Sequence, residues 1–265
     1  MQLSGKVIVI TGAAQGIGKA MAQRFKQESP AGLVLADRSD AVEAVASELG
    51  AKALTGDLSQ ASTVERLVAL AEGEFGRIDL MCSNAGIFRG DGSGGRGAGW
   101  NATTGSLADW QASWDINVMA HVHAARAALP GMVKRGEGYF LHTASAAGLL
   151  NQIGSAIYGT TKHAAVGFAE ALAIAHGDQG IRVSVLCPQA VRTPMLGGGG
   201  ESSAAAGDGI VEPEDLAECV VSGLAEERFL ILPHPEVATY MKRKADDYER
   251  WLRGMQRLRQ RLSGG

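Results

Sequence analysis

A short apolar, β-branched run, Lys6-Val-Ile-Val-Ile-Thr11, leads directly into Gly12-Ala-Ala-Gln-Gly16-Ile-Gly18 and then into a helical pattern of Ala20, Met21 and Phe25. Such a run reads as a buried strand. Strand, glycine turn and helix then recur in simpler form along the chain. Strands are predicted at 32–37, 51–54, 78–82, 139–143, 181–187 and 229–232, and helices at 60–74, 107–134, 156–177 and 214–225. Alternation of this kind predicts an α/β fold, with a parallel sheet of about seven strands covered by helices on both faces.

The first turn carries chemistry. Its glycines are spaced Gly-x3-Gly-x-Gly, between a strand and a helix. Gly12 permits a tight turn, Gly16 lets the backbone approach a pyrophosphate, and Gly18 allows close packing of helix on strand. The helix N-terminus offers unpaired N–H groups and a positive dipole end to phosphates. A structural turn without ligand is the alternative. Asp37 ends the second strand, about 20 residues on, where an acid accepts from the ribose hydroxyls of NAD and repels a 2′-phosphate. A solvated turn residue or a helix N-cap is the less favoured alternative. Arg38 follows and could meet a 2′-phosphate, but Gln15 adds no second positive charge, so NAD is the expected cofactor.

Tyr158 and Lys162 stand four residues apart, and Ser145 lies thirteen residues before the tyrosine. In a helix that spacing sets the pair on one face. A tyrosine titrates near 10 in water, and an adjacent ammonium lowers it. The expectation is a phenol able to take a proton near neutral pH, with Ser145 hydrogen-bonding the substrate oxygen. Spacing alone decides little, because Tyr240 and Lys244 repeat it. The first copy has the glycine turn and Ser145 upstream; the second sits in a charged C-terminal segment.

Together these residues resemble the short-chain dehydrogenase/reductase family in its single-domain form. The resemblance covers about residues 3–232 and rests on Thr11 through Gly18, Asp57-Leu58, Asn84-Ala85-Gly86, Asn117, Ser145, Tyr158, Lys162 and Pro188 through Thr193. It implies a Rossmann-like, doubly wound sheet and hydride transfer between NAD(P) and an alcohol or carbonyl. Under the resemblance Asn117, Ser145, Tyr158 and Lys162 are catalytic, and Asn117 holds the water of a proton relay leading to Lys162. The implied cofactor set is Gly12, Gln15, Gly16, Ile17, Gly18, Asp37, Arg38, Asp57, Leu58, Asn84, Ala85, Gly86, Tyr158, Lys162, Pro188, Val191 and Thr193. Asp57 and Leu58 would flank the adenine, and Thr193 would contact the nicotinamide carboxamide. Two positions depart from the family pattern: Ser83, where a second Asn is frequent, and Gln189, where Gly is common.

The expected reaction is oxidation of a secondary alcohol, on a ring or an apolar chain, by NAD. Leu149, Leu150, Ile153, Met195 and Leu196 flank the expected pocket and are apolar. An NADPH-dependent ketone reductase and a non-catalytic NAD-sensing protein are the alternatives.

Other properties narrow the class. A net charge of −3 gives no general attraction to nucleic acid. No apolar run approaches the length of a membrane span, and Met1 leads almost directly into the first strand, so neither a span nor a signal peptide is expected. Cys82, Cys187 and Cys219 read as reduced thiols of a cytoplasmic protein, with no disulfide or metal site. One catalytic domain is expected over 1–265. Glycine-rich loops at 89–105 and 196–209 are expected to be mobile, the second as a lid over substrate. The segment 236–262 reads as one helix with Met241, Tyr248, Met255 and Leu262 at heptad spacing, packing on its own domain or a sister subunit. The family implies a homotetramer.

Overall fold

The computed structural model describes residues 1–90, 101–196 and 204–263. The strands are β1 (Val7–Thr11), β2 (Gly32–Asp37), β3 (Lys52–Thr55), β4 (Leu80–Ser83), β5 (Gly138–Thr143), β6 (Ile181–Leu186) and β7 (Leu230–Ile231). They form one seven-stranded sheet in the order β3-β2-β1-β4-β5-β6-β7. Every pairing is parallel. The order reverses between β1 and β4, which opens a crevice at the carboxyl ends of those strands.

The helices are α1 (Gly16–Lys26), α2 (Ala41–Leu49), α3 (Ala61–Phe75), α4 (Leu107–Trp114), α5 (Ala120–Arg135), α6 (Ala147–Leu150), α7 (Ala156–His176), α8 (Pro213–Ala225), α9 (Glu236–Asp246) and α10 (Tyr248–Ser263). Alternate side chains of each strand point to opposite faces, so a strand buried on both sides feeds two cores. Val9 joins one core, with Leu67 of α3, Ala128 of α5 and Ala169 of α7. Ile8 and Ile10 join the other, with Met21 of α1, Val45 of α2 and Val220 of α8. The expected doubly wound architecture is therefore present, with helices on both faces.

Three departures bear on function. The predicted helix at 107–134 is interrupted by a π-helical turn at Asp115–Met119, between α4 and α5. The predicted helix at 236–262 is two helices. The chain turns at Asp247 (φ −151°, ψ 89°), whose carboxylate accepts the Arg250 N–H at 2.9 Å and so caps α10. The heptad row therefore does not run on one helix. The short helix α6, just after Ser145, was not foreseen. Most of the two glycine-rich loops, residues 91–100 and 197–203, lies outside the described residues, and the expectations of mobility and of a lid fall there.

Candidate active site

The glycine turn is bound to two strand ends at once. The Thr11 hydroxyl accepts the N–H groups of Asn84 (2.9 Å) and Ala85 (3.1 Å) and donates to the Cys82 carbonyl (3.3 Å). The Asn84 amide donates to the carbonyls of Thr11 (3.1 Å) and Gly12 (3.3 Å). These bonds fix the β4 exit against the β1 exit. Gly12 has φ +69°, and a Cβ there would lie 2.8 Å from the Ala85 Cα. A Cβ on Gly18 would lie 2.1 Å from the Gly12 carbonyl oxygen, so glycine is what lets α1 close on the turn.

Asp37 ends β2 beside this turn. One carboxylate oxygen accepts the Ala14 N–H at 3.1 Å and the other the Ser39 N–H at 3.0 Å. Carboxylate oxygens have further lone pairs for ligand hydroxyls. Arg38 and Gln15 are exposed, and Ile17 is half-buried. The first turn of α1 contains no acidic side chain. A turn with glycine at 12, 16 and 18, a helix N-terminus without an acidic side chain and an acid at the end of β2 fit a dinucleotide.

Asp57 and Leu58 follow β3. Asp57 is exposed and accepts the Ser59 N–H at 3.0 Å. Leu58 is buried in the core with Val34 and Val64, so its side chain is committed to packing. Val191 is buried and bridges to Val211, Pro188 is buried, and the Thr193 methyl would lie 3.1 Å from a Cβ on Gly16.

The π turn presents Asn117. Its side chain is fully buried, accepts the Ile87 N–H (2.8 Å), and donates to the Ile87 carbonyl (2.9 Å) and the Thr161 hydroxyl (3.2 Å). A Cβ on Gly86 would lie 3.2 Å from Asn117 Oδ1 and 3.4 Å from Lys162 Nζ, so Gly86 runs close by both. Single π turns recur at functional sites because they re-aim a side chain without ending the helix.

Tyr158 sits in the first turn of α7. Ser155 caps that helix, its hydroxyl accepting the Tyr158 N–H at 3.0 Å and donating to the Arg89 carbonyl at 2.6 Å. Ser145 is buried; its hydroxyl donates to the Pro188 carbonyl at 3.3 Å and accepts the Ala147 N–H at 3.1 Å. Lys162, one turn along α7, is buried and donates to the Thr143 carbonyl at 3.0 Å. Its ammonium lies 5.6 Å from the centroid of the Tyr158 ring.

The electrostatics correct one expectation. Burial pushes the Tyr158 phenol up to about 12, against the pull of its hydrogen bond with Ser145. Burial also pushes the Lys162 ammonium down to about 8. The expected net lowering of Tyr158 by Lys162 is therefore absent. Loss of water around both groups outweighs a cation whose hydrogen bond is spent on Thr143.

Some neighbours were missed in the sequence. The Phe88 ring, two residues after the Asn84-Ala85-Gly86 triplet, packs 5.2 Å from that of Tyr158, centroid to centroid. His121, four residues beyond Asn117, meets His142 of β5 with its Nδ1 atom 2.9 Å from its partner's. Burial pushes both imidazoles down, His142 to about 4, so both are neutral at pH 7. A separate cleft of about 400 Å³, lined by Lys6, Glu137, Arg182 and Glu227, lies at the opposite end of the sheet. Its charges are already paired, Lys6 with Glu137 at 2.6 Å and Arg182 with Glu227 at 3.2 Å.

Comparison with known proteins agrees with this geometry. Residues 6–202 match the family model described as short chain dehydrogenase. The chain belongs to the short-chain dehydrogenase family. It is similar to the 1-deoxy-11-beta-hydroxypentalenate dehydrogenase of Streptomyces exfoliatus, with 37% identity over 93% of this chain and 90% of the relative. It also resembles the meso-2,3-butanediol dehydrogenase of Serratia marcescens, with 35% identity over 75% of this chain and 76% of the relative. Among solved structures it is similar to a short chain dehydrogenase/reductase from Burkholderia phymatum in complex with NAD. There the TM-score is 0.82 and the identity 28%, over 94% of this chain and 96% of that one. The protein is thus an oxidoreductase of this family with the family's Rossmann-like sheet. Among the described residues no helix is long and apolar enough to cross a membrane.

Proposed function

We propose that this short-chain dehydrogenase oxidises a secondary alcohol, on a ring or an apolar chain, with NAD as hydride acceptor. The observation that carries the reading is the gathering of Ser145, Tyr158, Lys162 and Asn117 at the carboxyl ends of β4 and β5, beside the glycine turn. Two similar enzymes bear the names of hydroxyl compounds, a hydroxypentalenate and a butanediol, and a similar structure is a complex with NAD.

Gly12, Gln15, Gly16, Ile17 and Gly18 would hold the pyrophosphate, and Asp37 the adenosine ribose. Arg38 and Asp57 would edge the adenosine site; Leu58, already packed in the core, would shape its floor from below. Asn84, Ala85 and Gly86 would line the cofactor along β4, and Pro188, Val191 and Thr193 along the β6 exit. When bound, oxidised NAD supplies the hydride acceptor and a positive charge. Ser145 orients the substrate hydroxyl through its own Oγ. Tyr158 takes the hydroxyl proton at its phenolic oxygen. At rest the phenol holds its proton, since burial raises it; a positive charge brought nearby lowers it again. Lys162, with a value near 8, can pass a proton at working pH. Asn117 keeps the Ile87 backbone and Thr161 fixed around that path. The chain would act as a homotetramer, as one catalytic domain in the cytoplasm.

The test is steady-state turnover of a panel of secondary alcohols, with NAD and NADP compared. NAD-dependent oxidation of cyclic and apolar alcohols is expected. A marked preference for NADP with ketone reduction would replace this reading by the reductase one, and cofactor binding without any turnover would favour a sensing protein.

A further inference from the structure

Two segments leave the neighbourhood of Ser145 in different directions. One is α6, whose residue Leu149 lies four positions beyond the serine. The other is the β6 exit, where the Pro188 carbonyl accepts both the Ser145 hydroxyl (3.3 Å) and the Ala146 N–H (2.8 Å). Both segments are thus anchored beside Ser145, one by chain continuity and one by hydrogen bond.

Helix α9 is fastened to both. On the α6 side, the Lys244 ammonium donates to the Leu149 carbonyl at 2.7 Å. That ammonium is itself held over the rings of α10, 4.8 Å from the Trp251 centroid and 5.4 Å from that of Tyr248. On the other side, the Tyr240 hydroxyl donates to one oxygen of Asp208 at 2.8 Å, and the Gln189 amide donates to the other at 2.8 Å. Asp208 belongs to a stretch already tied by its backbone to the β6 exit: Ala190 N–H to the Ala205 carbonyl (3.1 Å), Val211 N–H to the Ala190 carbonyl (3.1 Å) and Arg192 N–H to the Val211 carbonyl (3.0 Å). The Gln189 N–H also donates to Nδ1 of His234, which is buried two residues before α9 begins.

We propose that α9 is the wall that limits substrate size, held in place by the Tyr240–Asp208–Gln189 clasp on one side and the Lys244–Leu149 bond on the other. The proposal rests on Ser145 and Tyr158 being the reacting pair. It explains why glutamine occupies position 189: glycine would leave Asp208 with Tyr240 alone. Tyr240 and Lys244, which repeat the spacing of the catalytic pair, act here as positioning residues. The carboxylate raises the Tyr240 phenol, so the hydroxyl remains the donor through the neutral range.

The clasp is exposed, so each hydrogen bond is worth little more than about 1 kcal/mol, or several-fold in a rate ratio. The experiment measures kcat and KM for cyclohexanol and for the bulkier decahydro-2-naphthol in wild type, Tyr240→Phe, Gln189→Leu and the double variant. Loosening the wall should lower the preference for cyclohexanol by about three- to tenfold in each single variant. The change should appear in KM, with kcat for cyclohexanol and KM for NAD within about threefold. Because both residues act through Asp208, the double variant should lose no more than the larger single effect. Hydrogen exchange should show faster amides at 204–211 in both variants. Unchanged size preference in a working enzyme overturns the wall. Additive losses, or unchanged exchange at 204–211, overturn the clasp. If wild type turns over no alcohol, the functional reading has failed and the wall with it, while exchange still decides the clasp.

Discussion

Replacing Lys162 by methionine should change stability in a way that depends on pH, and the sign follows from where the ammonium sits. Burial moves Lys162 from 10.5 to about 8; at about 1.4 kcal/mol per pH unit, keeping it charged costs the native state about 3 kcal/mol. Its folded value is depressed, so between pH 8 and 10.5 the unfolded chain binds more protons. Native stability therefore rises with pH across that window, and the cost is fully present below pH 8. Methionine has nearly the same length and no proton to lose. It also leaves the Thr143 carbonyl, which Lys162 meets at 3.0 Å, without that donor, a loss of about 1–3 kcal/mol. At pH 7 the two effects nearly offset, and the variant should lie within about 2 kcal/mol of wild type. By pH 9.5 wild type should have gained about 2 kcal/mol on the variant. Tyr158, at about 12, lies above the window, and other titrations are common to both proteins and cancel. Urea unfolding of both proteins at pH 7, 8.5 and 9.5, analysed with a shared m value, measures the difference. A difference that stays flat across this range, or moves in favour of methionine, would refute the assignment of Lys162 as a desolvated ammonium.

Tyr158→Phe should lose most turnover while still binding NAD, whereas Tyr240→Phe should keep kcat within about threefold; comparable kcat losses would remove Tyr158 as the base. Wild type should prefer NAD over NADP by about a hundredfold in kcat/KM, from charge-assisted bonds of Asp37 to the ribose, and Asp37→Ser should erode that preference from both sides, as kinetics with the two cofactors would reveal. Thr11→Val removes the acceptor of the Asn84 and Ala85 N–H groups and should cost about 2–4 kcal/mol in urea unfolding. Light scattering at micromolar concentration should give a tetramer mass; a monomer would contradict the assembly inferred from the family.

The sheet was legible because its strands are buried on both faces. A run such as Val7-Ile-Val-Ile10 can satisfy its side chains only between two helical layers, and the glycine turn that follows admits few other contexts. Gly12 and Gly18 were legible for a related reason, since close approach of backbone restricts the residue type, whereas Ser145 and Lys162 stood out by spacing and Asn117 only through the family resemblance. Electrostatic values were less legible. Spacing predicts that Tyr158 and Lys162 share a helix face, but it says nothing of how much water each loses, and desolvation decided both directions. The π turn was hidden because Trp114-Asp-Ile-Asn-Val118 is helix-compatible in either register.

The break at Asp247 was masked by a heptad row that happens to continue across it, although an aspartate three residues before the N–H it accepts is a helix-start signal. The clasp lay furthest from reach. Gln189 stood out only as a departure from the family pattern, and Tyr240 only as a second copy of the catalytic spacing. Nothing local connects either of them to Asp208. Once the fold brings the three together, the departure at 189 and the hydroxyl at 240 have one cause, a carboxylate with two donors. Glutamine at position 189, which looks like damage to a cofactor motif, is then better understood as the second donor that ties the β6 exit to α9 through Asp208.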